Sequence, residues 1–354
     1  MTGLTSLLQS GIEDGAFPGA AFAVGSAAQT WVGYAGRQTY DLASPPVCAD
    51  TLWDLASVTK VVGTTSAAML LVADGLLSLE SDVRDFRPEF SPADVTVRDL
   101  LLHRSGLPPY LQATDLQDRA EVWTRICGVA LTEKPGRSSV YSCVGFIVLQ
   151  HVLEQVAGCS LDSYLRERLF RPMGMTRTTY NPPAELRHAC SPTQRLPKWQ
   201  QELEDRRGFV RVQNDFVQGD VHDPLACVMG GVSGNAGLFS TPSDVAAFLR
   251  GYLHDQGALP LALRIAWTTP ADPESSRALG WDTKSPEGSS AGARFSASSF
   301  GHTGYTGTSV WVDPESGFFA ALLTNRVHPD DDNLKIAEFR PRFHDAAFGF
   351  LKNV

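Results

Sequence analysis

The chain has 354 residues, of which 43% are hydrophobic and 19% charged, with a formal net charge of −9. That apolar share builds a real core and excludes disorder as the main state. The acidic balance excludes a nucleic-acid or anionic-membrane surface as the main binding face.

The length allows one large domain or two ordinary ones. No run approaches the ~18 consecutive apolar residues of a spanning helix. The opening MTGLTSLLQSGIEDG lacks a basic start and soon meets acidic residues, unlike a secretion signal, so a cytoplasmic location is expected. The six cysteines (Cys48, Cys127, Cys143, Cys159, Cys190 and Cys227) form no C-x-x-C pair. They read as reduced and mostly as small buried hydrophobes. Six lysines stand against twenty-four arginines.

In chain order, GAAFAV (19–24) and QTWVGYA (29–35) read as a β-hairpin. Residues 58–73 carry apolar positions at helical spacing, and Gly75 is a natural stop. Residues 95–103 read as a helix that breaks at Ser105-Gly106-Leu107-Pro108-Pro109, and 142–157 as an apolar helix ending at Gly158. The stretch 180–235 is rich in Pro, Gly and charge and reads as long surface loops. It closes on a Gly-rich run, 230–237. Thr241-Pro242-Ser243-Asp244 opens a further helix, with Thr241 as cap and Asp244 reaching back as in a capping box. TGTSVWVD (306–313) and GFFAALLT (317–324) form a second hairpin, and Pro341 opens the last helical segment.

Strands at both ends with helices between them imply an α+β fold. An antiparallel sheet flanked by helices is built from 1–52 and 278–354, a mainly helical domain (53–277) is inserted, and the active site lies at their interface.

Ser57-Val58-Thr59-Lys60 is the only S-x-x-K in the sequence. At i and i+3 on a helix the Lys60 ammonium lies beside the Ser57 hydroxyl, and the helix start favours a developing alkoxide. Lysine can lose its proton and act as a base, which arginine cannot. In a chain this rich in arginine, a lysine there is unlike a generic surface cation. A capping serine followed by a surface lysine is the plain alternative. Tyr141-Ser142-Cys143 precedes the apolar helix, and His302-Thr303-Gly304 precedes the last hairpin; each is weak alone.

Taken together and in this order, the three motifs resemble the serine β-lactamase and penicillin-recognising superfamily, in its class C-like branch of esterase, D-aminopeptidase and muramoyl-peptide amidase relatives. Phe17-Pro18-Gly19, Trp53-Asp54-Leu55-Ala56, Leu101-Leu102-His103-Arg104-Ser105-Gly106-Leu107 and Gly237-Leu238-Phe239-Ser240-Thr241 are similar to flanking elements of that family. Val221-His222-Asp223 and residues 301–328 resemble a bacterial subgroup of hydrolases.

The resemblance implies a β-lactamase/transpeptidase-like fold and an acyl-enzyme on Ser57, with Lys60 and Tyr141 sharing its proton. It implies an oxyanion hole from the backbone amides of Ser57 and Tyr305. Cys143, His302, Thr303, Gly304, His222 and Asn235 would contact substrate. His302 replaces the family's lysine and would titrate near neutrality, helping Lys60 to lower the Tyr141 pKa and giving a rise in activity through about pH 6–7. Cys143 stands where β-lactamases often carry Asn, which moves weight from β-lactams and peptides toward esters or small amides. His222-Asp223 reads as an oriented acid/base pair or a loop anchor, His103-Arg104 as structural. No cluster has metal-ligand spacing, so neither metal nor cofactor is expected. The substrate is a small ester, amide or β-lactam; the oligomeric state is open. A non-catalytic ligand-binding or sensor module that keeps the fold is the competing reading, motivated by Cys143 and His302.

Overall fold

A computed structural model describes residues 2–253, 259–271 and 275–354. Its strands are β1 (Gly19–Ser26), β2 (Thr30–Gly36), β3 (Trp53–Asp54), β4 (Thr179–Tyr180), β5 (Leu238–Ser240), β6 (Asp282–Thr283), β7 (Phe300–Thr303), β8 (Ser309–Asp313) and β9 (Phe318–Thr324). Six form an antiparallel sheet in the order β2-β1-β9-β8-β7-β6. Both expected hairpins are present, as β1/β2 and β8/β9. The two chain ends meet where β1 pairs with β9, Ala20 opposite Thr324.

Period-2 alternation splits the sheet's side chains between two cores. Ala20, Phe22, Val24, Trp311, Ala320 and Leu322 pack against the first helix (Thr2–Glu13) and the last (Ile336–Leu351). Ala21, Ala23, Val310, Val312, Ala321 and Leu323 join a larger core shared with the helical part. There the helix Pro242–Leu253 packs on β1 and β9, and the helix Cys143–Ala157 is buried from Val144 to Leu153. A small sheet, β3-β5-β4, sits beside the start of the Ser57 segment.

Several local expectations hold with their caps. Gly75 and Gly158 lie in the left-handed region at φ 69° and 68°. Ser142 caps the buried helix through Gly145 N–H. The Ser57 segment is one helical run in three forms: a 3-10 turn (Ala56–Val58), a wide π-turn (Lys60–Thr65) and an α-helix (Ser66–Ala73). By length and composition Ala56–Ala73 could cross a membrane, but 83% of it is buried inside the protein, so it serves as a core helix.

Four expectations need correction. Pro341 lies inside the last helix, not at its start. It removes one intrahelical donor early in a helix whose Phe339, Phe343 and Ala347 are locked into the core. Asp244 does not reach back; its carboxylate accepts from Arg177 N–H (2.7 Å) and Thr178 Oγ1 (2.9 Å), while Thr241 alone caps Asp244 N–H. The stretch 180–235 holds helices Lys198–Arg206 and Pro224–Val228, because buried Asp220 and Glu204 are met by Arg207 and Arg211. Of the six cysteines, which are all free thiols, only Cys190 and Cys227 are buried; Cys48 and Cys159 are exposed.

Candidate active site

Ser57 sits on a forced turn. The residue before it, Ala56, has φ 47°, a region that side chains disfavour. Asp54 holds that turn. Its Oδ1 accepts from Ala56 N–H at 2.8 Å, and its Oδ2 accepts from His222 N–H at 2.8 Å. Its main-chain carbonyl takes the Thr306 hydroxyl at 2.8 Å, and Leu55 O takes that of Thr308 at 2.9 Å. One buried residue thus ties together the nucleophile turn, the His222 loop and the loop after β7. Gly304 must be glycine here, since a Cβ would lie 2.6 Å from Leu55 O and 2.0 Å from Thr308 Oγ1.

The i, i+3 spacing delivers the expected pair. Lys60 Nζ donates to Ser57 Oγ at 3.1 Å, to Asn235 O at 2.9 Å and to Cys143 Sγ at 3.5 Å. It is fully buried and lies 4.9 Å from the centre of the Tyr141 ring. Lys60 and Ser57 both favour the ionised form of the Tyr141 hydroxyl, against its burial. His103 backs this arrangement. Its ring lies 4.6 Å from that of Tyr141, and its Nδ1 accepts from Ser142 N–H at 3.0 Å.

Burial pushes Lys60 down, but ionised Tyr141 and Cys143 would pull it up, and the net direction is above the ordinary lysine value. Burial pushes Tyr141 and Cys143 up against the pull of Lys60. At neutral pH the resting site therefore keeps its protons: a lysine ammonium, a neutral phenol and a neutral thiol. The expected lowering of the tyrosine does not occur.

His302 is corrected as well. It is buried, and its Nδ1 lies 2.7 Å from Thr303 O, an acceptor, so Nδ1 carries the hydrogen and Nε2 is bare. Burial, with Lys60 and Arg277 nearby, holds its pKa down to about 3. It is neutral across the physiological range and lends no positive charge to Tyr141.

Two clefts meet at Ser57, Tyr141 and Tyr305. One, about 320 Å³, runs along β7 and is lined by His302, Thr303, Gly304, Arg277, Arg340 and Asp282, among others. The other, about 380 Å³, is lined by Cys143, Tyr110, His222, Asp223, Ala236 and Asp331, among others. Outside helices and strands, no main-chain carbonyl takes the N–H of Ser57 or Tyr305 among the described residues. Both groups remain available to an oxyanion. The Tyr305 side chain is anchored by Asp331 (2.6 Å) and its carbonyl by Arg326 Nε (2.8 Å).

Sequence reasoning placed Ser57, Lys60, Tyr141, Cys143, His302, Thr303, Gly304, Tyr305 and His222 in one region, and the structure brings them together. Asn235 differs. Its side chain is buried and bonded to Ser233, its carbonyl holds Lys60, and Ala236 lines the cleft instead. His222 and Asp223 are not an acid/base pair. Asp223 caps the helix Pro224–Val228 through Ala226 N–H, while burial holds His222, stacked on Tyr305, down at about 4. Reasoning from sequence missed Asp54, Tyr110, Arg277 and Arg340. Asp54 lay within the Trp53–Ala56 element and Tyr110 three positions past Leu107, whereas Arg277 and Arg340 lay near no motif.

The beta-lactamase family model matches residues 4–341. A putative D-alanyl-D-alanine carboxypeptidase of Escherichia coli K12 is 32% identical over 309 residues, covering 78% of this chain and 70% of that protein. An N-acetylmuramyl-L-alanine amidase of Bacillus subtilis strain 168 is 33% identical over 307 residues, covering 78% of this chain and 68% of its own. A solved class C beta-lactamase shares the fold, with a TM-score of 0.74 at 17% identity over 95% of this chain and 94% of that one. A family match over nearly the whole chain, with relatives at this identity, leaves one conclusion: the chain belongs to the beta-lactamase family and is a serine hydrolase.

Proposed function

We propose that the protein hydrolyses a small amide substrate, of the kind found in D-amino-acid or muramoyl peptides, through an acyl-enzyme on Ser57. The observation that carries this reading is the 3.1 Å bond from Lys60 Nζ to Ser57 Oγ, with the Tyr141 ring 4.9 Å from the same Nζ. The names of the two bacterial relatives point to the amide class.

In this mechanism Ser57 Oγ attacks the carbonyl, and its proton passes into the Lys60–Tyr141 pair. The N–H groups of Ser57 and Tyr305 hold the oxyanion. Tyr141 returns a proton to the leaving nitrogen and then takes one from the water that cleaves the acyl–Ser57 ester. Because the resting pair is fully protonated, the reactive form is the one that has lost a proton, and its share grows with pH.

The test combines intact mass and turnover. The protein is incubated with a fluorescent penicillin and with an activated short-chain ester, and then assayed on acyl-D-Ala-D-Ala and muramoyl peptides. The expected result is an adduct on Ser57, turnover of a peptide amide, and loss of both in Ser57→Ala. A folded protein with neither adduct nor turnover, whose ligand affinity is indifferent to Ser57→Ala, would make it a binding module instead.

A further inference from the structure

In the buried stretch Val144 to Leu153 of the helix Cys143–Ala157, Gln150 is the one amide side chain. It is fully buried and lines neither cleft beside Ser57. A primary amide has two N–H donors and an acceptor oxygen, and burying it costs free energy unless they are used. Here they are spent mainly on one loop. Gln150 Oε1 accepts from Gly234 N–H at 2.9 Å, and Nε2 donates to Val232 O at 3.1 Å. Nε2 also donates to Glu154 Oε1 at 3.1 Å, and Glu154, itself paired with Arg119, sets which way the amide faces.

Residues 232–235 lie outside any helix or strand. Their four successive carbonyls accept from side chains instead. Val232 O takes Gln150, Ser233 O takes the Tyr180 hydroxyl at 3.3 Å, Gly234 O takes Thr64 Oγ1 at 2.7 Å, and Asn235 O takes Lys60 Nζ at 2.9 Å. The loop is seated directly on the helix that carries Gln150, since a Cβ on Gly234 would lie 2.1 Å from Phe146 O.

Lys60 has two other acceptors. Ser57 Oγ is the nucleophile, and Cys143 Sγ, at 3.5 Å, is a weak acceptor. Once Ser57 is acylated, its Oγ is an ester oxygen and accepts poorly. Of the three, Asn235 O is then the strong acceptor left to fix Nζ, at the stage when a water must be activated. Its place is set by Gly234, the residue before it, which Gln150 holds at the N–H and Thr64 at the carbonyl.

We infer that Gln150 is a positioning residue: acting with Thr64 through the loop 232–235, it holds Lys60 in place while the acyl–Ser57 ester is hydrolysed. The inference rests on the reading of the protein as an acyl-enzyme hydrolase and goes beyond it, to a side chain that touches no reacting atom. In the step it serves, water oxygen adds to the acyl carbon and the bond from that carbon to Ser57 Oγ breaks. The acid leaves, and a proton returns to Ser57 Oγ through the Lys60–Tyr141 pair.

The experiment uses Gln150→Met, which keeps the length of the side chain and removes its polar atoms. Burst kinetics on p-nitrophenyl acetate are followed by p-nitrophenol release, and the acetyl adduct on Ser57 by rapid quench and intact mass. Deacylation should slow by about 10-fold, while acylation, during which Ser57 Oγ still holds Nζ, should change by less than about 3-fold. The variant should therefore accumulate adduct, with kcat and KM falling together and kcat/KM staying near the wild-type value. A side chain that only supports the fold would lower the active fraction instead: kcat and kcat/KM would fall alike, KM would stay, and the inference would be overturned. Thr64→Val frees Gly234 O from the opposite side and should give the same signature, which decides the matter should Gln150→Met fail to fold. Adduct that decays at the wild-type rate in a folded variant overturns the positioning role while leaving the acyl-enzyme intact. Absence of both adduct and turnover in the wild type overturns both.

Discussion

Asp54→Asn separates the stability of the nucleophile turn from its function. Asp54 is buried, and burial, with Asp223 and Asp220 nearby, raises its pKa from 3.8 to about 7 against the pull of the His222 and Ala56 N–H bonds. The folded value lies above the unfolded one, so the folded protein holds the extra proton. That contribution is complete below about pH 4 and is lost as pH rises through about 7. At about 1.4 kcal/mol per unit, ionising Asp54 in the folded state costs about 4 kcal/mol by pH 8 and about 1 kcal/mol at pH 4.5. Asparagine carries no such penalty. It still offers one oxygen, but its NH2 faces the second N–H, which removes about 1–3 kcal/mol at every pH. Denaturant unfolding should therefore show Asp54→Asn gaining about 3 kcal/mol relative to wild type between pH 4.5 and pH 8. Activated-ester turnover should meanwhile fall about 10-fold or more, because the Ala56–Ser57 turn or the His222 loop loses an anchor. Any step in activity near pH 7 that comes from ionisation of Asp54 should vanish in the variant. A stability difference that does not change with pH, or full activity in Asp54→Asn, would refute the clamp.

Four further outcomes follow from the geometry. His302→Gln should keep any activity step near pH 7, because His302, held at about 3, does not titrate there; loss of that step would return the role to His302. Above neutrality, ester turnover should keep rising, because Lys60 and Tyr141 both hold their protons past their ordinary values; a plateau complete by pH 7 would contradict this. Gly234→Ala places a Cβ 2.1 Å from Phe146 O and 3.0 Å from Gln150 Cβ. Main chain cannot yield there, so the change should cost about 3 kcal/mol or more in denaturant unfolding. Cys143→Asn supplies an amide donor beside Lys60 and should raise amide turnover relative to ester turnover by about 10-fold; an unchanged ratio would show that the thiol does not limit amide recognition.

Legibility followed the range of the interaction. Ser57 and Lys60 were readable because a helical turn fixes their spacing, and Gly75 and Gly158 because a left-handed stop is local. The sheet was readable because both hairpins alternate with period 2. The protonation of His302 was not, since it depends on burial under β6, β8 and the arginines, which only tertiary packing supplies. Adjacent His222 and Asp223 looked like a pair, but the first is drawn to Asp54 by its N–H and the second turns to cap a helix. Arg277 stands 220 positions from Ser57 in a stretch without motif or periodicity, and strand pairing alone brings it to the cleft.

The arginine bias of the chain acquires a physical meaning in this site. Positive charge on the cleft wall comes from Arg277, Arg326 and Arg340. The one cation bonded to Ser57 Oγ is a lysine, and its partners are a hydroxyl, a carbonyl and a thiol rather than a carboxylate. A carboxylate there would trap the proton on Lys60; neutral acceptors fix the position of Nζ while leaving the proton free to move between Lys60, Tyr141 and Ser57. The Lys60–Tyr141 pair can thus move a proton without being committed to binding charge. An arginine at position 60 would keep its proton and lose that task, which is why a chain with four arginines for every lysine places lysine at this position.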